Sequence, residues 1–294
     1  MTAVQSGVLA PVPLHARYLT FTLRPRCAPR RALLALGAIA DGDRCVVGIG
    51  EPLLRALGAR IDGMRQFPSY VGDGFAVPAT PAALWCWLRG NDRGNLVHFS
   101  RALERALAPA FAVESVIDAF RHGTGRDLTG YEDGTENPRG RKAVAAAVVS
   151  GMGAGLDGAT IAAVQQWVHD FERFDAMSVK EQDNSIGRRK RDNVELGSAP
   201  RSAHVKRTAQ ESFTPQAFVV RRSMPWADAT RAGLVFVAFG HTPDAFEAQL
   251  QRMTGAADGI ADALFKFTRP VTGAYFWCPP VRHRRLDLRA IVKK

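Results

Sequence analysis

Apolar residues along the chain form short clusters that predict a mixture of strands and helices. Aromatic and β-branched residues are concentrated from Tyr18 to Leu23, and the run CVVGI at 45–49 is continuously apolar, so both segments are predicted strands. Between them, Leu33, Leu34 and Ile39 give a predicted helix its apolar side. The other elements predicted in the first half are a strand-like segment at 83–88, a helix from about Asn95 to Leu107, and a strand or short helix over 113–120.

The second half begins near residue 157 with apolar residues at helical spacing, which predict an amphipathic helix. This stripe consists of Ile161, Val164, Val168, Phe171 and Phe174. His169 lies one position off the stripe, so we expect its side chain to be solvated. The polar and basic segment from Ser178 to Arg207 has no periodicity and is predicted to be a long ordered loop.

Two strands and a helix follow that loop. AFVVRRSMP at 217–225 and GLVFVAFG at 233–240 are strand-like, and Arg221 and Arg222 should then project to opposite faces. Thr242-Pro243-Asp244 is typical of a helix start, with Thr as the capping residue. The remaining predicted elements are a helical segment at 260–267 and a strand at 274–278.

This order of elements lacks the regular strand–helix alternation of a doubly wound sheet. We therefore predict an α+β fold made of two similar halves, each an antiparallel sheet with packed helices. The predicted boundary divides the chain into residues 1–145 and 146–294.

Composition limits the partners and the location. Of 294 residues, 39 are basic and 28 acidic, giving a formal net charge of +11, which permits anionic partners but selects none. The four cysteines are scattered, form no CxxC, and are expected to be buried free thiols in a reducing compartment. No signal peptide and no apolar run long enough to span a membrane is recognised, so we predict a cytoplasmic protein.

Three features could take part in chemistry. In the segment GYEDGTENP, Gly130 to Pro138, the residues are typical of a turn, yet Gly134 would also let the backbone approach a ligand while Asp133 points into a pocket. His204 follows the polar segment and precedes the strong strand pair, although a lone histidine is more often structural than a ligand. Arg221 needs an anionic partner if it is buried, whereas at a sheet edge it would reach solvent.

The sequence resembles the dye-decolorizing peroxidases, which are haem enzymes, and is most similar to their compact bacterial B-type class. GYEDGTENP contains the family's GxxDG signature, and the resemblance extends in the same order and spacing from about Tyr18 to Pro280. The other matching segments are LRGNDRGNL at 88–96, VIDAFRH at 116–122, WVHD at 167–170, EQDNSIGRRK at 181–190, HVKR at 204–207, VVRRSMP at 219–225 and TRPVTGAYF at 268–276.

The resemblance implies a role for each matching position. His204 resembles the proximal ligand of haem iron, and Asp262 the acidic residue that bonds the other nitrogen of its imidazole. On the opposite side of the haem, Asp133 and Arg221 resemble the distal pair, and Ser223 a small polar residue beside them. The positions implied least directly are contacts to the cofactor and its propionates: Gly134, Thr135, Arg188 and Arg207. The implied fold is two ferredoxin-like halves of the dimeric α+β barrel type, with one non-covalent haem b in the second half.

The implied reaction is reduction of hydrogen peroxide and oxidation of an aromatic, dye-like or porphyrin-type donor through a high-valent iron intermediate. Asp133 would move the proton of peroxide, and Arg221 would stabilise the charge that develops as the O–O bond breaks. An aspartate base suits acidic conditions, so we expect an acidic pH optimum. The resemblance also implies a homo-oligomer, a dimer or larger, that acts on small aromatic or anionic donors.

Three other functions remain open at this point. The first is a haem-binding or haem-handling protein without catalysis, although simple binding would need neither Asp133 nor Arg221. The second is a chlorite dismutase-like haem enzyme, which is related in fold but lacks the GxxDG aspartate. The third is a basic nucleic-acid module, which the absence of an aromatic RNP-type strand argues against. We therefore expect neither a nucleic-acid partner nor a membrane partner.

Overall fold

The computed structural model describes residues 2–292. The strands are β1 (Thr2–Ala3), β2 (His15–Leu23), β3 (Cys45–Gly50), β4 (Tyr70–Gly72), β5 (Phe75–Val77), β6 (Leu84–Gly90), β7 (Phe111–Phe120), β8 (Thr160–His169), β9 (Val220–Arg221), β10 (Met224–Ala227), β11 (Ala232–Gly240), β12 (Thr268–Pro270), β13 (Ala274–Cys278), β14 (Val281–Arg282) and β15 (Arg285–Leu286). The helices are α1 (Ser6–Leu9), α2 (Arg30–Ile39), α3 (Glu51–Ala56), α4 (Arg93–Leu107), α5 (Arg141–Ala147), α6 (Phe171–Asp175), α7 (Val179–Ile186), α8 (His204–Arg207) and α9 (Asp244–Met253), with 3₁₀ turns at Gln210–Ser212 and Ala263–Lys266.

Eight antiparallel strands close into a barrel. Their order around the ring is β3-β6-β2-β7-β10-β11-β8-β13, and pairing of β13 with β3 returns the ring to its start. β12 and β9 extend the sheet beside β8 and β11, respectively. The closed ring confirms the predicted α+β class of the barrel type.

The two halves of the ring repeat one topology. In the first half the strands run second-third-first-fourth in chain order, as β3-β6-β2-β7, and in the second half β10-β11-β8-β13 do the same. α2 and α4 connect strands of the first half, and α9 connects the last two strands of the second. Each half therefore has the strand order of a ferredoxin-like unit.

Side chains alternate between the inside of the barrel and the layer of helices around it. Large aromatic residues fill the interior: Tyr18, Trp85, Trp87, Phe239 and Phe276 are all buried. On the outer face of the first half, Leu33, Leu36 and Leu103 of α2 and α4 pack against the sheet. The strands therefore have two buried faces, and this placement determines which sequence patterns are informative.

The amphipathic helix predicted from residue 157 is wrong, because Thr160–His169 forms strand β8. Nearly every residue of β8 is buried, since one face lines the barrel and the other faces a covered cavity. A strand buried on both faces has no two-residue alternation, and its apolar positions then matched a helical spacing by chance. His169 is accordingly not solvated, and its side chain is only 5% exposed.

Four further predictions need correction. The segment 178–207 contains helix α7, whose start is fixed by reciprocal hydrogen bonds between Ser178 and Glu181, and it ends in α8. The segment 217–225, expected to be one long strand, contains a break that separates the two short strands β9 and β10. The helical segment expected at 260–267 is a short 3₁₀ turn, and Thr242 is not the capping residue of α9, which begins after Pro243.

The cysteines and the helix lengths agree with the sequence analysis. All four thiols are free, and Cys45, Cys86 and Cys278 are buried while Cys27 is half-buried. Among the helices within residues 2–292, none is long and apolar enough to cross a bilayer.

Candidate active site

A cavity lies on the outer face of the second-half sheet, between that sheet and the segments containing α8 and α9. It has about 910 Å³ of empty space when the solvent at its mouth is included. Its walls are mostly apolar, with a small set of titratable groups among them. The side chains used below are Asp127, Tyr131, Asp133, His169, His204 and Arg221, and the apolar lining includes Ile186, Phe236, Leu250, Met253, Leu264 and Phe267.

His204 is oriented by a buried carboxylate. Its Nδ1 lies 2.8 Å from Oδ2 of Asp262, whose side chain has no exposed surface. The other carboxylate oxygen, Oδ1, accepts the backbone N–H of Leu264 at 2.9 Å. A neutral imidazole that donates from Nδ1 has its lone pair on Nε2, and no hydrogen-bond partner of Nε2 is found between Thr2 and Val292. In that neutral tautomer, His204 would present a free electron pair to a metal.

Backbone hydrogen bonds hold the two segments of this pair together. The N–H of Ala263 donates to the carbonyl of Ser202 at 2.8 Å, and the N–H of Asp262 donates to the carbonyl of Met253 at 2.7 Å. Thr208 Oγ1 donates to the carbonyl of His204 at 2.8 Å. These bonds fix the start of α8 against the turn after α9, so the imidazole and the carboxylate have little freedom to separate.

Asp133 and Arg221 form a second pair that lines the same cavity. Asp133 Oδ1 lies 3.5 Å from Arg221 Nη1, and the side chains are 24% and 14% exposed. The backbone N–H of Asp133 donates to the carbonyl of Gly125 at 3.1 Å. Arg221 therefore has the anionic partner that a buried arginine needs, because the carboxylate of Asp133 lies next to its guanidinium.

Asn137, within the same motif, positions Arg221. Its side-chain Oδ1 accepts the N–H of Arg221 at 2.7 Å, and its Nδ2 donates to the carbonyl of Arg221 at 3.1 Å. Gly134 has a φ of +72°, and a Cβ there would lie 2.8 Å from Asn137 Nδ2. A glycine is therefore required both by the turn and by the space that the amide occupies. The sequence analysis quoted Asn137 but gave it no role.

A second histidine–aspartate pair lines the cavity, and the sequence analysis missed it. His169 Nε2 lies 3.0 Å from Asp127 Oδ2, and Nδ1 lies 2.7 Å from Oγ1 of Thr268. Burial alone would raise the pKa of Asp127, but the hydrogen bond and charge of His169, with hydrogen bonds from Thr129, hold it below its ordinary value of 3.8. In the sequence, only the segment WVHD at 167–170 pointed to His169, and the incorrect helix prediction placed that side chain in solvent.

Tyr131 contributes a phenol to the cavity wall. Its hydroxyl donates to Asp183 Oδ1 at 2.5 Å, and the ammonium of Lys190 lies 5.7 Å from the centre of its ring. Burial, followed by the hydrogen bond to the acidic Asp183, raises the pKa of Tyr131. The phenol is therefore protonated over the whole range in which proteins are normally studied.

The remaining candidates lie outside this cavity. Ser223 lines an adjoining groove together with Asp133 and Arg221, and its Oγ accepts the N–H of Val237 at 3.4 Å. Gly134 lines that groove too, whereas Thr135 is among neither set of lining residues within the described chain.

The two arginines expected at a cofactor, Arg188 and Arg207, are hydrogen-bonded to acidic residues. Arg188 donates to Glu136 and Glu195, and Arg207 donates to both carboxylate oxygens of Asp258 and to the carbonyl of Arg252. Among the described residues that line the cavity, neither arginine is present. These hydrogen bonds engage the guanidinium donors of both side chains and stabilise the loops that contain them.

Comparisons with known proteins agree with this geometry. A family model described as "Dyp-type peroxidase, C-terminal" matches residues 124–283. A dye-decolorizing peroxidase of Rhodococcus erythropolis is 31% identical over 248 residues, which are 82% of this chain and 73% of the relative. The chain spans 65% to 73% of the length of this and two other curated relatives of the same description.

Solved structures show the same fold over nearly the whole chain. A Dyp-type peroxidase protein from Shewanella oneidensis has a TM-score of 0.87 and 28% identity, covering 95% of this chain and 96% of that one. A DypB variant from Rhodococcus jostii, described in complex with haem, has a TM-score of 0.84 and 24% identity, covering 92% of this chain and 94% of that one.

Proposed function

The chain belongs to the Dyp-type peroxidase family, a family of haem peroxidases, and we propose that it reduces hydrogen peroxide in the cavity lined by His204, Asp133 and Arg221. The observation that supports this most is that one mostly apolar cavity is lined both by a histidine with a free nitrogen and by a carboxylate–guanidinium pair. The roles of the individual site residues, the class of electron donor and the acidic pH optimum are also proposed.

The residues present fit haem. His204 would hold the haem iron through Nε2, and its hydrogen bond to Asp262 favours the tautomer that leaves this nitrogen free for a metal. The apolar lining suits the apolar faces of a porphyrin. Bound haem would supply the redox chemistry of the reaction, which is the transfer of two electrons from the donor to peroxide.

We assign proton transfer to Asp133. Its carboxylate accepts a proton from one oxygen of hydrogen peroxide and returns it to the other, which then leaves as water. Its exposure of 24% allows a water molecule to relay the proton. An aspartate is ionised in mildly acidic solution, where a histidine base would be protonated, so we expect the optimum below neutral pH.

We assign charge stabilisation to Arg221. Negative charge develops on the departing oxygen as the O–O bond lengthens, and a fixed guanidinium lowers the energy of that state. Asn137 holds the backbone of Arg221 by two hydrogen bonds, so the cation does not have to reorganise during the reaction. Ser223 lines the groove next to this pair and is proposed as a polar neighbour.

A spectroscopic experiment tests the proposal. Haem added to the purified protein should give a stoichiometric Soret band, and one equivalent of hydrogen peroxide should change that band within seconds. His98→Ala, at an exposed position of helix α4, is the matched control for His204→Ala. A stable haem complex without any response to peroxide would favour haem handling over catalysis, and failure to bind haem would contradict the proposal.

The donor class, oligomer and location are further parts of the proposal. We propose a small aromatic or anionic electron donor and a homo-oligomer acting in the cytoplasm. The four free thiols support a reducing compartment. The repeated strand order supports a division at residues 1–145 and 146–294. Sedimentation measures the oligomer directly, and turnover with neutral and anionic phenols compares the donors.

A further inference from the structure

We propose that a groove that adjoins the cavity at the Asp133–Arg221 pair binds an organic anion, specifically an aromatic carboxylate. We call it the arginine groove. Its lining consists of Leu9, Pro11, Val12, Thr124, Gly125, Asp133, Gly134, Asn137, Pro138, Arg139, Gly140, Arg141, Ala143, Val144, Arg221, Arg222 and Ser223. The proposal goes beyond the peroxidase reaction, because binding of such an anion requires no haem.

Positive charge in the arginine groove exceeds negative charge. Four arginines line it, Arg139, Arg141, Arg221 and Arg222, whereas Asp133 is the only acidic residue of the lining within the described chain. Between Thr2 and Val292, no ion pair of Arg139 or Arg141 with a carboxylate is found. Arg221 lies 3.5 Å from the carboxylate of Asp133. The groove therefore attracts anions, and its charge is left largely uncompensated by the protein.

Arg222 is the most informative of the four. Its guanidinium donates to the carbonyls of Arg221 at 2.8 Å and Leu9 at 2.7 Å, and its Nε is buried without a partner among the described residues. Burial, followed by the nearby charge of Arg89, lowers the pKa of Arg222 to about 10. A half-buried cation next to another cation is unfavourable, and an anion bound in the groove would offset that repulsion.

The apolar part of the lining indicates more than a simple inorganic ion. Val144 is 46% exposed, and Val12 and Pro138 are half-buried in the same wall. The groove has about 1780 Å³ of empty space when the solvent at its mouth is included, which exceeds the space that a chloride or phosphate ion fills. Apolar surface beside guanidinium donors matches a ligand with a flat apolar body and a carboxylate.

Calorimetric titration with benzoate tests the proposal on both haem-loaded and haem-free protein. Benzoate should bind both forms, and the neutral isostere benzamide should bind at least about tenfold more weakly because it lacks the charge. Binding to the haem-free form separates this inference from the peroxidase proposal, since either one can fail while the other holds. No detectable binding up to about 10 mM benzoate would overturn it.

Variants locate the site. The double substitution Arg139→Gln and Arg141→Gln changes exposed side chains and should weaken benzoate binding about tenfold, because two charges at the rim are lost. Arg222→Gln should weaken it to a similar extent, and the exposed double variant still decides the result if Arg222→Gln does not fold. Arg101→Gln, at an exposed position of α4, is the matched control.

Three results would contradict the inference. The first is equal binding of benzamide and benzoate, which would exclude charge recognition. The second is an equal weakening of benzoate binding by Arg101→Gln, which would show that the effect comes from the net charge of the protein and not from this groove. The third is equal affinity for acetate, which would make the groove a site for small anions without recognition of an aromatic body.

Discussion

The two side-chain pairs at the cavity, His204 with Asp262 and Asp133 with Arg221, differ in how firmly the protein holds them. His204 and Asp262 are 2.8 Å apart, the carboxylate has no exposed surface, and backbone hydrogen bonds join their segments. Asp133 and Arg221 are 3.5 Å apart, and both side chains are partly exposed. The first pair is arranged like a fixed ligand, and the second like a pair that exchanges protons with water.

The difference follows from what each pair is proposed to do. A metal ligand must keep one tautomer and one direction, so burial and a second hydrogen bond to Asp262 are useful. A proton shuttle must release its proton, so a long contact and access to water are useful. If this comparison is correct, substitutions in the two pairs should affect different measurements.

The largest effect is expected from His204→Ala. Removal of the imidazole takes away the proposed axial ligand, so the Soret band should change in position and haem affinity should fall. Peroxidase activity should drop by at least about 10³-fold. Haem titration followed by absorbance measures both changes. A variant that keeps the wild-type spectrum and turnover would exclude His204 as the ligand.

Substitution of Asp133 should reduce turnover while leaving the haem spectrum nearly unchanged. Asp133→Asn keeps the size of the side chain but removes the base, so kcat/KM for peroxide should fall by about 10²–10⁴-fold. In the wild type, the pH–rate profile should peak below neutrality, and in the variant this profile should flatten. A wild-type optimum above neutrality would count against an aspartate base.

Arg221→Gln should reduce kcat/KM for peroxide by about 10²–10³-fold, because the charge that stabilises the departing oxygen is lost. Asp133 remains in place, so the pH profile should keep its shape. Stopped-flow mixing with peroxide measures the rate directly. An effect larger than that of Asp133→Asn would make Arg221 the dominant residue of the pair and would reverse the order proposed here.

Asp262→Asn should give a smaller effect, about 10–100-fold in haem affinity or activity. The amide still accepts the N–H of Leu264, but it no longer carries the charge that makes the imidazole electron-rich. The iron–histidine stretching frequency should therefore decrease, which a purely structural role would not produce. Asp258→Asn, which removes the partner of Arg207 on a nearby turn, should leave that frequency unchanged.

The smallest effect concerns stability and the third pair, His169 with Asp127. The pKa of Asp127 is lower in the folded chain than its ordinary value of 3.8, so the ionised group stabilises the fold above pH 3.8. That stabilisation is lost as the pH falls through the lowered pKa. Asp127→Asn should reduce the free energy of unfolding at pH 7 by about 1–3 kcal/mol and reduce the loss on acidification. Urea unfolding at pH 7 and pH 3 provides the test.

The residues of the two main pairs were identified from segments far apart in the sequence. The fold brings His204 against Asp262 and Asp133 against Arg221, and the roles that the resemblance implies for these four residues stay predictions. The partners of Arg188 and Arg207 could not be predicted from the sequence. Their donors are engaged by Glu136 and Asp258, and a basic segment does not indicate which acidic residue each of its arginines will contact.

β8 shows the opposite limit. Hydrophobic periodicity reports how many faces of an element are buried, and β8 is buried on both, so the pattern no longer distinguished a strand from a helix. The error extended to His169, whose place in the cavity depends on the strand's alternation. Knowledge of the barrel, which a local window does not contain, was needed to place it.

The closed ring has a consequence for truncation of the protein. β7 pairs with β10 and β13 pairs with β3, so the two halves of the ring complete each other's edges. A fragment ending at residue 145 would leave β3 and β7 with unpaired backbone groups, and the remaining piece would have the same defect at β10 and β13. Such fragments would be prone to aggregation. Although the chain repeats one topology twice, the smallest unit that can be produced as a stable protein is the whole ring.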